Sequence, residues 1–413
     1  MKLNNLLKQN KEEAFIYLER NVNDIFPADV NFIYKPHEGV DKFGLPFILL
    51  DNQEAEIFET NPDPSIKEWL FKKDKIKFFI HPEMLPVYRN RGVSKLIKPD
   101  GYLNVSPTSS TRTVFTRDIK HNFMIKTNIE KKLGDSIRRL KKKHVLHSQK
   151  IAEEFERNPL PKCFSYLPES IGIVYSLRGV EGSMIIRELT PRPHTPEKSY
   201  ILPFFSLTSQ DKNNKNDIFL LQQILENVSS KDGNEFDLFC DKILVPFMDI
   251  WSYFVLELGM CLEMHPQNTL LEIDDKGLPK RIIYRDFQDV FIDPKIRKMK
   301  KLHCNFEKNI IGQPERKYRV ENKIIKDSKI CGQISYSLTY DYRIGRTLDC
   351  LYYAIKKYPS CTEEKFISAV KDIWDRYFSK SDIFPEKAYL LKKSEDSMEK
   401  ELSFIETKPK YRP

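Results

Sequence analysis

Glu263-Met264-His265-Pro266-Gln267-Asn268, followed by Arg285-Asp286-Phe287, decides how the rest of the chain is read. Between them lie the turn signal Asp274-Asp275-Lys276-Gly277 and the apolar run Ile282-Ile283-Tyr284, so the two halves read as arms of one hairpin. An acid, an imidazole, two amides, a guanidinium and a second acid thereby gather beside core-type residues. Burying such groups without partners is costly. A phosphate-bearing ligand with a divalent metal would partner them, and so would a satisfied structural network. The whole set at this spacing favours a site.

Composition narrows the field. At 413 residues the chain can bury a large core, and 40% hydrophobic with 31% charged residues is ordinary for a soluble globular protein. The net charge of +9 is uneven. Residues 117–150 hold about eleven Lys and Arg against about three acids, which points to an anionic partner. The 7 cysteines are scattered without a Cys-x-x-Cys pair, which argues for reduced thiols and against a zinc site. The amino terminus lacks the apolar core of a signal peptide. The most apolar window, 243–262, is broken by Asp249 and Glu257 and reads as a buried helix. A cytoplasmic protein with no membrane contact is expected.

Along the chain, residues 1–75 read as a small mixed module with a helix through Phe15-Ile16-Tyr17-Leu18. Asn61-Pro62-Asp63-Pro64 marks a boundary, because proline removes donors and restricts its neighbours. Residues 76–210 supply strands at Phe78-Phe79-Ile80, Val114-Phe115 and Phe123-Met124-Ile125, a basic helix over 137–155, and a hairpin about Gly179-Val180-Glu181-Gly182. Residues 211–217 read as an exposed linker, and 211–413 as mostly helical apart from the His265/Asp286 hairpin. The fold class is α+β.

With 14 glycines and neither a Gly-x-x-x-x-Gly-Lys nor a Gly-x-Gly-x-x-Gly pattern, no backbone phosphate cradle is expected, so side chains would have to grip a nucleotide. Ser109-Ser110-Thr111-Arg112-Thr113 offers hydroxyls and a guanidinium suited to phosphate oxygens, although such a turn is commonly only a turn. Lys126 interrupts an apolar run with no structural reason to be a cation. Arg138 opens the basic helix, whereas Lys141, Lys142, Lys143 and Lys150 read as its solvated face. Arg187-Glu188 ends an apolar strand, so one charge could point into a cleft, but the pair reads first as a surface ion pair.

These residues carry a resemblance. His81-Pro82, Pro107-Thr108-x-Ser110-x-Arg112-Thr113, Lys126, Arg138, Glu263-x-His265-x-Gln267-Asn268 and Arg285-Asp286-Phe287 occur in the order and spacing of the siderophore synthetases that work without a nonribosomal peptide synthetase, the aerobactin-synthetase type. The resemblance covers roughly residues 78–300 and implies a cupped hand of thumb, mixed β fingers and largely helical palm, with 1–75 as a reduced thumb. It implies an ATP-dependent ligase that activates a citrate-like polycarboxylic acid as an acyl-adenylate and condenses it with an amine or alcohol. Ser110, Arg112, Thr113 and Lys126 would then grip the triphosphate. Arg138 would lie between the α-phosphate and the substrate carboxylate, with His265 facing that carboxylate as donor or base. Gln267 and Asn268 would hold the nucleotide, and Asp286, Asn268 and Glu263 its Mg2+. A homodimer is implied as well.

The chain departs from that pattern in a short stretch before the Ser-x-Arg-Thr motif and in Glu83-Met84 after His81-Pro82. Both leave the acid and amine open. Two other readings stand beside the ligase: a small-molecule phosphotransferase, which would release ADP, and a basic nucleic-acid-binding protein built on 117–150. The helix 137–150 has no aromatic residue interleaved with its cations, and no nucleic acid is expected.

Overall fold

The computed structural model describes residues 2–23, 29–117, 119–120, 123–133, 136–177, 179–195, 198–213, 218–229, 234–307, 318–392 and 403–413. Its largest element is a nine-stranded sheet whose neighbouring strands are all antiparallel. The strand Phe123–Thr127 near its middle is buried along its whole length. Successive side chains on a strand alternate faces, so such a strand must be covered twice. On one face Ile48, Phe78, Ile125 and Ile173 pack with Ile66, Leu70 and Tyr88 from short helices. On the other, Val174 and Ile185 meet Val145, while Phe115 and Met124 meet Leu270 and Ile283 of a second sheet.

Val145 belongs to the helix Lys142–Arg157. This helix starts later than the expected 137, because the strands Lys132–Leu133 and Ser136–Ile137 pair with each other first. Arg138 therefore sits in the connection before the helix. Of the expected solvated cations, Lys142 pairs with Glu56 and Lys150 with Glu307.

The second sheet has four strands, in the order Phe164–Tyr166, Pro279–Tyr284, Thr269–Asp274 and Ser199–Pro203. Its central pair is the expected hairpin. The turn is set by Asp274, whose Oδ1 accepts from the amides of Lys276 and Leu278, and by Gly277 at φ 84°. Beneath it lies the buried helix Val245–Leu258, with the Phe254 ring 4.8 Å from Phe164. No helix among the described residues is long and apolar enough to cross a membrane.

Several expectations need correction. Asp63 caps the helix Pro64–Leu70 rather than ending a module. The boundary expected at 75 is crossed by the sheet ladder, where Phe47 lies opposite Phe79 and Leu45 opposite Leu103. The boundary at 210 is crossed by the core, since Leu18, Phe155, Phe164 and Leu202 share one cluster with Trp251, Phe254 and Tyr340. Asp211, read as exposed linker, is buried and accepts from the Tyr17 hydroxyl at 2.8 Å; residues 214–217 lie outside the described ones. The helical carboxyl-terminal half also carries a small sheet of Tyr318–Val320, Lys323–Ile325, Ala388–Leu391 and Ser403–Thr407, strands too short to show a period of two in the sequence.

The basic helix approaches the large sheet so closely that a Cβ on Gly172 would come within 2.3 Å of Val145 Cγ1. Gly172→Val should therefore lower unfolding stability by about 1–3 kcal/mol through overpacking, read as a shifted urea midpoint.

Candidate active site

Thr269 pairs with Tyr284, so residues 263–268 before one strand and 285–286 after the other meet at the open end of the hairpin. The Arg285 amide donates to the Asn268 carbonyl at 3.0 Å, and the amides of Asn268 and Thr269 both donate to the His265 carbonyl. The loop is thus wound about His265. Asp286 takes a left-handed conformation at φ 75°, which costs an L-residue roughly 1–2 kcal/mol. Such strain gathers where a side chain has to be aimed.

Lys126 is what Asp286 is aimed at. Its strand is buried throughout, and its Nζ lies 2.5 Å from Asp286 Oδ1. Thr113 sits opposite Lys126 in the ladder, and Arg187 two residues along opposite Met124, so all three project from one face. Arg187 is not the expected surface pair. It is buried, 2.5 Å from Glu169 and 3.9 Å from Asp286 Oδ2. Glu169 in turn accepts from Ser148 of the basic helix. Burial alone would raise the Asp286 pKa, but Lys126, Arg187 and Arg112 outweigh it and hold the carboxyl well below its usual range. Burial lowers the pKa of Lys126, and the Asp286 charge opposes that shift.

The turn before Arg112 is fixed by its own hydroxyls. Ser110 Oγ accepts from the Thr113 amide at 3.1 Å, and Thr108 Oγ1 donates to the Thr113 carbonyl at 2.6 Å. Thr111 between them is left-handed, at φ 58°. Arg112 is buried, yet among the described residues its guanidinium donates only to the Gln288 amide oxygen at 3.4 Å and the Arg138 carbonyl at 3.5 Å. Burial lowers its pKa; Asp286 opposes the shift and Arg138 adds to it. A buried guanidinium held by two long, neutral contacts suits a polyanion.

Arg138 is exposed, and its charge acts on Arg112, His265 and Arg343 alike. Desolvation pushes His265 down to about 4, with Asp286 opposing and Arg138 reinforcing the shift. Its Nδ1 accepts from the Gln267 amide at 3.2 Å, so the neutral ring carries its proton on Nε2, 3.8 Å from Glu263 Oε2.

Sequence reasoning missed Arg343, Arg346 and Glu19. Arg343 lies in the π-helical segment Leu338–Ile344 and pairs with Glu263; burial first, then Arg138 and Arg346, lower its pKa to about 10. Thr347 donates to the Met264 carbonyl at 3.1 Å and so ties this helix to the His265 loop. The segment is anchored by Asp341, which accepts from Arg412 Nε at 3.0 Å, while the Tyr340 hydroxyl donates to the Tyr411 carbonyl. The available signal was Arg343 and Arg346, three apart beside the core residues Ile344 and Leu348. Glu19 lies one turn after Phe15 on the buried side of the helix Lys11–Asn21 and pairs with Arg285 at 2.6 Å. An acid on an apolar face was the clue.

The expected metal ligands do not form a cage. Arg343 and His265 face Glu263, Lys126 holds Asp286, and Asn268 Nδ2 donates to the Glu263 carbonyl at 3.3 Å. Among the described residues no group of three or more His, Cys, Asp or Glu could hold a metal ion. Asp286 keeps a 23% exposed carboxylate, a hard oxygen donor of the kind Mg2+ takes together with phosphate oxygens and water.

A family model described as ferric iron reductase FhuF-like transporter matches residues 247–388. L-2,3-diaminopropanoate–citrate ligase of Staphylococcus aureus is 25% identical over 240 residues, 54% of this chain and 39% of that enzyme. The chain therefore spans about two-fifths of this curated relative. Petrobactin biosynthesis protein AsbB of Bacillus anthracis superposes with a TM-score of 0.68 at 16% identity, over 98% of this chain and 76% of that one. Aerobactin synthetase IucC of Klebsiella pneumoniae gives 0.67 at 13%, over 100% and 78%. The chain has the α+β fold of the siderophore synthetases of the aerobactin type, the resemblance its residues carry.

The His265 shift makes a pH prediction. Its folded value near 4 lies below an unfolded value of about 6.5, so the unfolded chain binds the extra proton, and stability falls as pH drops from about 6.5 to 4. Buried His81, also pushed to about 4 by desolvation, shares that window. His265→Asn should flatten, without abolishing, the acid limb of melting temperature against pH.

Proposed function

We propose that this chain is an adenylate-forming, ATP-dependent ligase that activates a citrate-like polycarboxylic acid and joins it to an amine or alcohol, with the nine-stranded sheet as fingers and the helical body as palm. The observation that carries this reading is the gathering of Lys126, Arg112 and Arg187 from the sheet with Arg138, Arg343 and Arg346 at the His265 end of the hairpin. These six cations outnumber the acids Asp286, Asp289, Glu169, Glu263 and Glu19 that act on them, and such a surplus suits ligands that are themselves polyanions. The sequence resemblance and the citrate ligase relative support it.

In this reading a substrate carboxylate oxygen attacks the α-phosphorus of ATP and pyrophosphate leaves. The amine then attacks the acyl carbon and AMP leaves. Lys126, Arg112, Ser110 and Thr113 hold the phosphate chain, and Gln267 and Asn268 line its other side. Asp286 would hold Mg2+, which supplies further charge neutralisation. Arg138, exposed and close enough to influence both Arg112 and His265, brings the two anions together, an orientation effect. These cations are fixed before reaction, so little reorganisation is needed as charge builds at phosphorus. With Nδ1 engaged by a backbone amide, His265 offers Nε2–H and serves the carboxylate as a donor. Arg343 and Arg346 extend the positive surface past His265, where the remaining carboxylates of a polyacid would lie. Seven free cysteines suit a reducing cytoplasm. A homodimer is the assembly the resemblance implies.

Hydroxylamine trapping across a panel of polycarboxylic acids, with pyrophosphate and AMP measured, tests the proposal. Acid-dependent hydroxamate is expected, and Arg138→Ala should lower its kcat/KM by about 100- to 1,000-fold, as removal of a charge-stabilising donor does. ADP with a phosphorylated product, or full activity in Arg138→Ala, would overturn it.

A further inference from the structure

Glu19 closes a ring of polar contacts that no part of the reaction itself requires. Its Oε2 accepts from the Ser109 amide at 3.1 Å and the Ser109 hydroxyl at 2.7 Å. Its Oε1 lies 2.6 Å from Arg285 Nη1. Arg285 Nε donates to the Gln267 carbonyl at 2.8 Å, and Gln267 Nε2 returns to Ser109 Oγ at 3.4 Å. The ring joins three elements distant in sequence: the helix Lys11–Asn21, the turn before Arg112, and the open end of the hairpin.

Glu19 is 1% exposed and Arg285 3%, so both charges are desolvated. Burial lowers the Arg285 pKa, and Glu19 opposes that shift. A buried ion pair is poor evidence of stabilisation, because its desolvation offsets most of the attraction, and its best-attested use is to specify register. The apolar contacts of Phe15 and Ile16 with Phe115, Met124, Leu270 and Ile283 are non-directional, and the Lys126–Asp286 pair joins sheet and hairpin at a different point. The ring sets one alignment, and the members it aligns adjoin Ser110 and Asn268.

We infer that Glu19 is a positioning residue for nucleotide binding: through Ser109 and Arg285 it fixes the Ser110–Arg112 turn against the Gln267 loop, so that the two halves of the phosphate site are held in register. This rests on the proposed ATP-dependent reaction, and it concerns only how the nucleotide is held.

Isothermal titration of ATP with Mg2+ into the full chain reads nucleotide binding without turnover, and steady-state kinetics reads the acid. Glu19→Gln and Ser109→Ala should each weaken ATP binding about tenfold. The double variant should be no worse than either single, because both cut the same ring. Ser109→Thr, which keeps the hydroxyl, should bind ATP as the parent does. The KM for the acid should stay at the parent value in all four. Should Glu19→Gln fail to fold, Ser109→Ala and Ser109→Thr carry the test alone. Unchanged ATP affinity in Ser109→Ala, effects that multiply in the double variant, or ATP and acid affinities falling together would each overturn the inference. A parent chain that binds ATP yet yields no hydroxamate with any acid would sink the ligase reading and leave the ring intact.

Discussion

The contact between Lys126 and Asp286 is the constraint around which the molecule is arranged. A lysine on a fully buried strand needs an anion, and no acid on its own sheet stands nearer than Asp286 on the hairpin. Breaking such a pair from one side strands a buried charge, at a cost of about 3–5 kcal/mol. Large sheet and small sheet are therefore held face to face by electrostatics as well as by Phe115, Met124, Leu270 and Ile283. The left-handed Asp286 and the Arg187–Glu169–Ser148 chain behind it follow from that requirement. Fold and site share one cause.

The cations have unequal surroundings, and the differences are informative. Arg187 has Glu169 directly beside it, and Lys126 has Asp286. Arg112 is equally buried but, among the described residues, has only carbonyl oxygens within bonding distance. Arg138 is exposed and makes no ion pair with any described residue, while Arg343 shares Glu263 with His265. Charge is thus compensated deep beneath the sheet and left in surplus toward the hairpin end. A surface graded in this way attracts an anion toward the hairpin end.

Much of this was readable in the residues. Lys126 stood out because a cation in an apolar alternating run must point somewhere, and the hairpin stood out through Asp274-Asp275-Lys276-Gly277. Short-range patterns of this kind survive folding. What could not be read depends on neighbours remote in sequence. Arg187-Glu188 looked like a surface pair because nothing local announces Glu169, eighteen residues earlier, as its partner. Ile137 looked helical because helical spacing ignores the pairing of Lys132 with Ile137 that claims the segment first. Glu19 and Arg343 reach the cleft from opposite ends of the chain, where spacing carries no information about convergence. The module boundaries failed for a similar reason: Pro-rich punctuation marks a local turn, but whether a core continues past it is a property of packing.

The helix bearing Arg343 departs from regular α geometry over Leu338–Ile344 and is fastened there by Arg412, whose Nη atoms also donate to the Pro385 and Lys387 carbonyls. A guanidinium seventy-one residues downstream of Asp341 is thus wired to the rotational phase of Arg343. On the function proposed above, the choice of acid beside Arg343 would then be a heritable trait of Arg412, open to drift there while the residues proposed to hold nucleotide stay the same.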